Sequence, residues 1–419
     1  MKKKALFSLI ALALVALVAV PLLAACKGAE VAPPVKDKIT VGMSRSFSGP
    51  IAIIDDSAFR PIYETWVPMI NDEGGVYMSE YGKKLPIELI IYDDKSDVGT
   101  MTRLTEKLIL EDKVDYLWGG GGTAFIFGQA PIANKYGYVL PTAEGGATTI
   151  MDALPSFPYL FINLSFSNWY ELPVFADMLA AAGAKTAYVT YIADLHGIEY
   201  SGVAGIEFAR VGISILGSVS LPPDLKDFAP IVLDAQNSGA DVFCCFGYPD
   251  QVMPITGTSI ALGYNPKAFI AGPGANFGFY HTTFGPAVEG VCNFGVANLK
   301  SSPAIADMYN KVYAGKPEEL NDWWGHPYYW AGCDIWKAAV EEVGKVDQDM
   351  LREALVNGKY NTILGDTWYT QFGGGGCLMA KECHPGEVAQ WQNGIDEIVG
   401  GRITTASFVY PKPAWPAAK

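Results

Sequence analysis

The chain has 419 residues, 50% of them hydrophobic and 18% charged, with 45 glycines and 27 prolines. So much apolar side chain excludes a disordered or low-complexity protein and allows a large buried core. A formal net charge of −14 excludes a nucleic-acid binder, because neutralising a phosphate backbone requires surplus Lys and Arg.

Lys2, Lys3 and Lys4 precede an apolar stretch from Ala5 to Leu23 that ends on Ala24 and Ala25 before Cys26. A basic start, an apolar middle and a small-residue end are the three parts of a secretory signal. The segment Leu23-Ala24-Ala25-Cys26 resembles the lipobox of bacterial lipoproteins, in which the cysteine is lipidated and becomes the mature N-terminus. A membrane-spanning anchor is the competing reading, since the run approaches bilayer length; Pro21 and the small residues favour the signal. Residues 1–25 are therefore expected to be a signal peptide and 26–37, an aperiodic Ala, Pro and Val stretch, a lipid-anchored tether. The folded part then lies outside the cytoplasm, in the periplasm or on the outer face of the cell membrane.

From Ile39 onward β-branched runs alternate with helical patterns. Strands are predicted at 39–43, 85–92, 114–118 and 139–142, with helices at 101–111 and 125–136 between them. After a Pro- and Phe-rich stretch the alternation restarts, with strands at 186–191, 213–219, 242–246 and 268–271 and helices at 171–182, 202–210, 228–238 and 250–262. Strand and helix taking turns predict an α/β fold of two doubly wound parallel sheets. The last third reads as a strand at 291–297, helices at 328–343 and 349–356, and a Gly-rich tail. Its aromatic residues Trp323, Trp324, Tyr328, Tyr329 and Trp330 read as core or lobe-packing surface.

No G-x-S-x-G, H-E-x-x-H or G-x-x-x-x-G-K-[ST] motif occurs, and His196, His281, His326 and His384 are scattered, so no enzyme, metal site or cofactor is predicted. The most informative loop is Gly119-Gly120-Gly121-Gly122-Thr123 between a strand and a helix. There, backbone N–H groups and the positive end of a helix can approach an anion. Glycines serving helix–strand packing alone are the plainer reading. With Cys26 assigned to lipidation, Cys377 and Cys383 flank a short loop and are expected to pair as a disulfide, in preference to a zinc site with His384. Cys244 and Cys245, inside an apolar strand, read as small buried hydrophobes.

Taken together, Ile39-Thr40-Val41-Gly42, Phe47-Ser48-Gly49-Pro50, Ile70-Asn71-Asp72-Glu73-Gly74-Gly75, Tyr92-Asp93-Asp94, the glycine loop, Gly272-Pro273 and Gln390-Trp391-Gln392 resemble, in order and spacing, the type I periplasmic binding proteins of the branched-chain amino acid and amide family. The resemblance implies two lobes joined by crossing strands, here 38–158 with 291–384 and 159–290 with 385–419, closing on a small-molecule ligand. It implies delivery to an ABC permease in the inner membrane, with a ligand sensor for a membrane receptor as the alternative. Residue by residue, it implies ligand contacts at Phe47, at Gly121, Gly122 and Thr123, and at Glu144, Gly145 and Gly146, where the ligand carboxylate is held. In the second lobe it implies His196 and Tyr248 where the family has tyrosines, and Gly274 where the family has the glutamate that pairs the ligand ammonium. That departure leads to a carboxylate-bearing solute without an amine, unless Glu144 takes over the ammonium.

Overall fold

The computed structural model describes residues 35–145, 148–163, 168–314, 324–384 and 386–416. The signal segment, Cys26, Gly146 and Trp323 lie outside the described residues. Strands β1 (Ile39–Arg45), β2 (Ile87–Asp93), β3 (Tyr116–Trp118), β4 (Leu140–Thr142) and β5 (Leu160–Ile162) form the first sheet. β1 pairs in parallel with β2 and β3, β4 pairs in parallel with β5, and Gly119 N–H donates to Pro141 O at 2.8 Å where the two parts adjoin. Helices α1 (Arg60–Asp72), α2 (Val98–Leu110) and α3 (Thr123–Tyr136) accompany it. β1 is buried on both faces, which is why it reads as a nearly continuous apolar run.

The second sheet contains β6 (Thr186–Ile192), β7 (Ser214–Leu221), β8 (Val242–Phe246), β9 (Ala268–Gly272) and β10 (Val291–Asn293). They run parallel in the order β7-β6-β8-β9-β10, with α4 (Asn168–Ala181), α5 (Leu195–Arg210), α6 (Ala229–Ser238) and α7 (Pro249–Leu262) as connections. The chain then returns through α8 (Pro303–Val312), α9 (Gly325–Val343) and α10 (Gln348–Asn357) to β11 (Tyr369–Gln371) and β12 (Cys377–Met379), β12 joining β5 in parallel. Finally the hairpin β13 (Val388–Gln392) and β14 (Ile395–Gly400) adds antiparallel to β10.

Three passages between the sheets follow, after β5, after β10 and after β12. The first two fall later than the sequence suggested, because β5 belongs to the first sheet and β10 to the second. Strands of three residues are too short to carry a period, and Pro158 beside Leu160–Ile162 reads as a linker. The strand expected over 291–297 is regular only to Asn293.

Each sheet reverses its strand order beside its first strand, so each has a switch point, between β1 and β3 in one lobe and between β6 and β8 in the other. Crevices outside strand C-termini open at such points.

The cysteines depart from expectation. Cys377 and Cys383 are both buried free thiols, and Cys383 Sγ turns to Ala380 O at 3.0 Å instead of to a partner sulfur. His384 Nε2 meets Thr367 Oγ1 at 3.2 Å. Cys244 and Cys245 are buried in β8. Among the described residues, no helix is long and apolar enough to cross a membrane.

The late aromatic residues are largely core. α9 buries Tyr328, Tyr329, Trp330 and Trp336, and the Trp336 ring meets Trp118 and Tyr116 edge-on at 5.2 and 5.4 Å. Truncating that ring leaves a cavity the sheet cannot close. Trp336→Ala is expected to lose about 3–5 kcal/mol, read as a lower denaturant midpoint; an unchanged midpoint would remove α9 from the core.

Candidate ligand-binding cleft

The two switch points face each other across a cavity of about 190 Å³. On the first-lobe wall, Arg45 ends β1. A guanidinium there is only 1% exposed, and a charge so buried persists only when paired. Its Nε donates to Asp55 Oδ1 at 2.5 Å, with Nη2 on the same carboxylate; Nη1 donates to Glu144 Oε1 at 2.8 Å and to Gly119 O at 3.3 Å. Rings of Phe59 and Tyr329 flank the cation at 5.1 and 5.9 Å. Burial opposes the charge, but Asp55 and Glu144 outweigh it and hold Arg45 well above its ordinary pKa.

Glu144 has a second attachment. Its Oε2 accepts the N–H groups of both Gly121 and Gly122, the latter at 2.8 Å. Those glycines have φ of 94° and 84°, a region that turns consecutive amides to one side and disfavours side chains. A Cβ on Gly120 would stand 1.7 Å from Arg45 Nη1. The glycine loop is thus an anion nest, as its sequence predicts, but the anion is the protein's own. The Gly121 and Gly122 amides expected to hold a ligand carboxylate are occupied, and Glu144, expected as a spare partner for an ammonium, is committed to them and to Arg45. Burial pushes its carboxyl upward in pKa, against the pull of Arg45.

On the second-lobe wall, Asp194 caps α5 by accepting Gly197 N–H at 2.9 Å and also takes the Tyr248 hydroxyl. Burial raises its pKa, partly offset by those bonds. His196, 8% exposed, stacks on Tyr248 at 5.1 Å between ring centroids. Burial lowers its pKa to about 4, a bond to the Gly272 backbone acting the other way, so the ring is neutral at pH 7. Its buried Nε2 has no partner.

Of the expected contacts, Gly121, Gly122, Thr123, Glu144, Gly145, His196 and Tyr248 line the cavity. Phe47 does not; its ring lies 3.9 Å beneath the Arg60 guanidinium. Gly274 does not either: with φ of 134° its N–H turns to Asn276 Oδ1, and a Cβ there would press on Pro249 and Val252 at 3.2–3.3 Å. Its neighbour Pro273 lines the cavity instead. Sequence reasoning missed Arg45, Asp55, Phe59, Asp194 and Trp324, which also line it. The available signal was a lone arginine at the end of the first strand, where the 2-1-3 strand order puts the switch point.

Two open parallel sheets whose switch points meet across a cavity define a two-lobed solute-binding protein. The family model for periplasmic binding proteins matches residues 38–394, and the chain belongs to that family, whose relatives here are solute-binding proteins and not enzymes. Leu/Ile/Val-binding protein homolog 6 of Brucella abortus is 25% identical over 211 residues, 49% of each chain, so this chain spans about half the length of that relative. Homolog 7 of Brucella melitensis is 24% identical over 77% of this chain and 82% of its own. The fold is shared with a solute-binding protein of Rhodopseudomonas palustris in complex with 4-hydroxybenzoate (TM-score 0.73, 18% identity, 89% of this chain and 99% of that one). It is shared equally with LivJ of Streptococcus pneumoniae in complex with isoleucine (TM-score 0.72, 16% identity, 90% and 100%).

Two measurements test the cleft. Arg45→Met strands two buried carboxylates and is expected to cost about 3–5 kcal/mol in denaturant unfolding; a loss below about 1 kcal/mol would mean that the ion pairs are not formed. His196 is held neutral when folded, with its pKa below the unfolded value of 6.5. Its contribution is therefore intact above pH 6.5 and is lost as pH falls toward 4, by up to about 3 kcal/mol. The stability difference between wild type and His196→Gln should shrink or reverse over that window; a difference independent of pH would show a solvated ring.

Proposed function

We propose that the protein is an extracytoplasmic lipoprotein, anchored through Cys26, that captures a small organic solute between its lobes and passes it to an ABC permease in the inner membrane. The observation that carries this reading is the cavity at the facing switch points, walled by Phe59, Phe125, Trp324 and Tyr248 and furnished with a few fixed polar groups. An engineered apolar cavity of about 150 Å³ accommodates benzene, so about 190 Å³ suits one ring or a branched chain with one polar group. The isoleucine and 4-hydroxybenzoate bound by structural neighbours are solutes of that size.

Closure should couple binding to stability. Across a panel of amines, amino acids, amides and organic acids, a solute at about a hundred times its Kd is expected to add about 2.7 kcal/mol, seen as a raised Tm. A panel in which nothing raises Tm would contradict solute capture. Cys26→Ser should release the protein from membranes or leave it unprocessed, and mass spectrometry finding a mature N-terminus at another residue would contradict the anchor.

A further inference from the structure

On the first-lobe wall the nest amides and the one lining cation are committed to the protein's own carboxylates. Both nest amides donate to Glu144, and the Arg45 donors are turned to Asp55, Glu144 and Gly119 O. The hydroxyl of Ser46 donates to Asp94 at 2.6 Å. At the positive end of α3, Glu144 takes the Gly121 and Gly122 amides, so an acid reaching the remaining N–H groups of Thr123, Ala124 and Phe125 would sit beside that buried carboxylate. Arg60, outside the lining, faces Asp56 at 2.8 Å and Asp55 at 3.6 Å. Around the cavity stand Asp55, Glu144 and Asp194, with Arg45 alone among the lining residues to oppose them.

The second-lobe wall has the opposite need. His196 Nε2 is buried without a partner, and a neutral imidazole nitrogen can accept a donor there. Asp194 receives Gly197 N–H and the Tyr248 hydroxyl, and a carboxylate has lone pairs for further donors. The rings of Tyr248 and Trp324 line the same space, and aromatic faces attract an ammonium. An unsatisfied acceptor, a carboxylate and aromatic faces on one wall call for an N–H-bearing cation. The glycine at 274, packed under α7, leaves no counter-charge missing, because Asp194 supplies one from the end of β6.

We infer that the solute is an organic amine, protonated and carried on an apolar or aromatic body, without a carboxylate. Its nitrogen faces Asp194 and His196 Nε2, and its body lies between Phe125 and Trp324. Glu144 occupies the seat that an amino acid's carboxylate would fill. This inference rests on the solute-binding reading and narrows it to one ligand class.

The test uses two matched trios on the detergent-solubilised full chain at pH 7.5, by calorimetry: isoamylamine, leucine and 4-methylpentanoate; phenethylamine, phenylalanine and 3-phenylpropanoate. The expected result is that at least one amine binds ten times or more tighter than its matched acid and amino acid. Asp194→Asn should then weaken that amine at least tenfold. Asparagine caps helices as well as aspartate does, so this variant keeps α5, and an unchanged wild-type-like Tm without ligand checks that it does. Should the acids or amino acids bind more tightly than the amines, the amine assignment is overturned and Glu144 must leave its seat, while solute capture stands. The assignment is equally overturned if no amine binds and the wider panel yields only an acid. If nothing in either set binds, both readings fall together.

Discussion

The guanidinium of Arg45 holds the ligand-facing end of the first lobe together. It ends the central strand of its sheet and reaches three other pieces of chain: the π-turn carrying Asp55, the glycine loop through Gly119 O, and the loop after β4 through Glu144. Removing a cation from water at that depth costs several kcal/mol, and only close carboxylates with their remaining lone pairs satisfied repay it. The local sequence follows from this demand. Position 120 must lack a Cβ because Arg45 Nη1 fills the space, and Glu144 stays ordered because the Gly121 and Gly122 amides donate to its second oxygen. Asp55 is fixed from its other side by the Tyr63 hydroxyl at 3.2 Å.

The consequence is a cleft with unequal walls. The first lobe is self-satisfied, a preformed surface whose charges answer one another before any solute arrives. The second lobe, where His196 Nε2 is left bare and Asp194 can accept more bonds, offers an occupant acceptors. Because three passages join the lobes, a solute bridging the two walls favours the closed arrangement by its differential contacts alone. For the amine inferred above, discrimination would reside at the ends of β6 and β8, with the first lobe supplying shape and a negative field.

Much of the architecture was legible because parallel strands buried on both faces leave β-branched runs, as in β1, β6 and β8, and because glycine and proline punctuate them. The long helices α2, α3, α7 and α9 were found within a few residues for the same reason. Among the elements that escaped, β5, β11 and β12 have three residues each, whereas α1 and α8 carry apolar stripes interrupted by proline: Pro61 and Pro68 in α1, and Pro303 after the Ser302 cap of α8. The glycine loop disclosed its chemistry, an affinity for an anion, but not its occupant, since Glu144 approaches from 22 residues away. Arg45 hid at a strand end, where an isolated charge usually marks emergence into solvent. The role given to Gly274 came from alignment to relatives, and tight packing of that backbone against α7 moved it out of the cleft.

Arg45 and Glu144 form one coupled unit and not two independent polar residues. A double-mutant cycle in denaturant unfolding, with Arg45→Met, Glu144→Gln and the pair, measures this without reference to any ligand. The structure predicts strong non-additivity, with a coupling energy above about 1.5 kcal/mol and the double variant less damaged than the sum of the singles. Additivity to within about 0.5 kcal/mol would contradict the buried pair, and with it the claim that the first lobe fills its own anion seat.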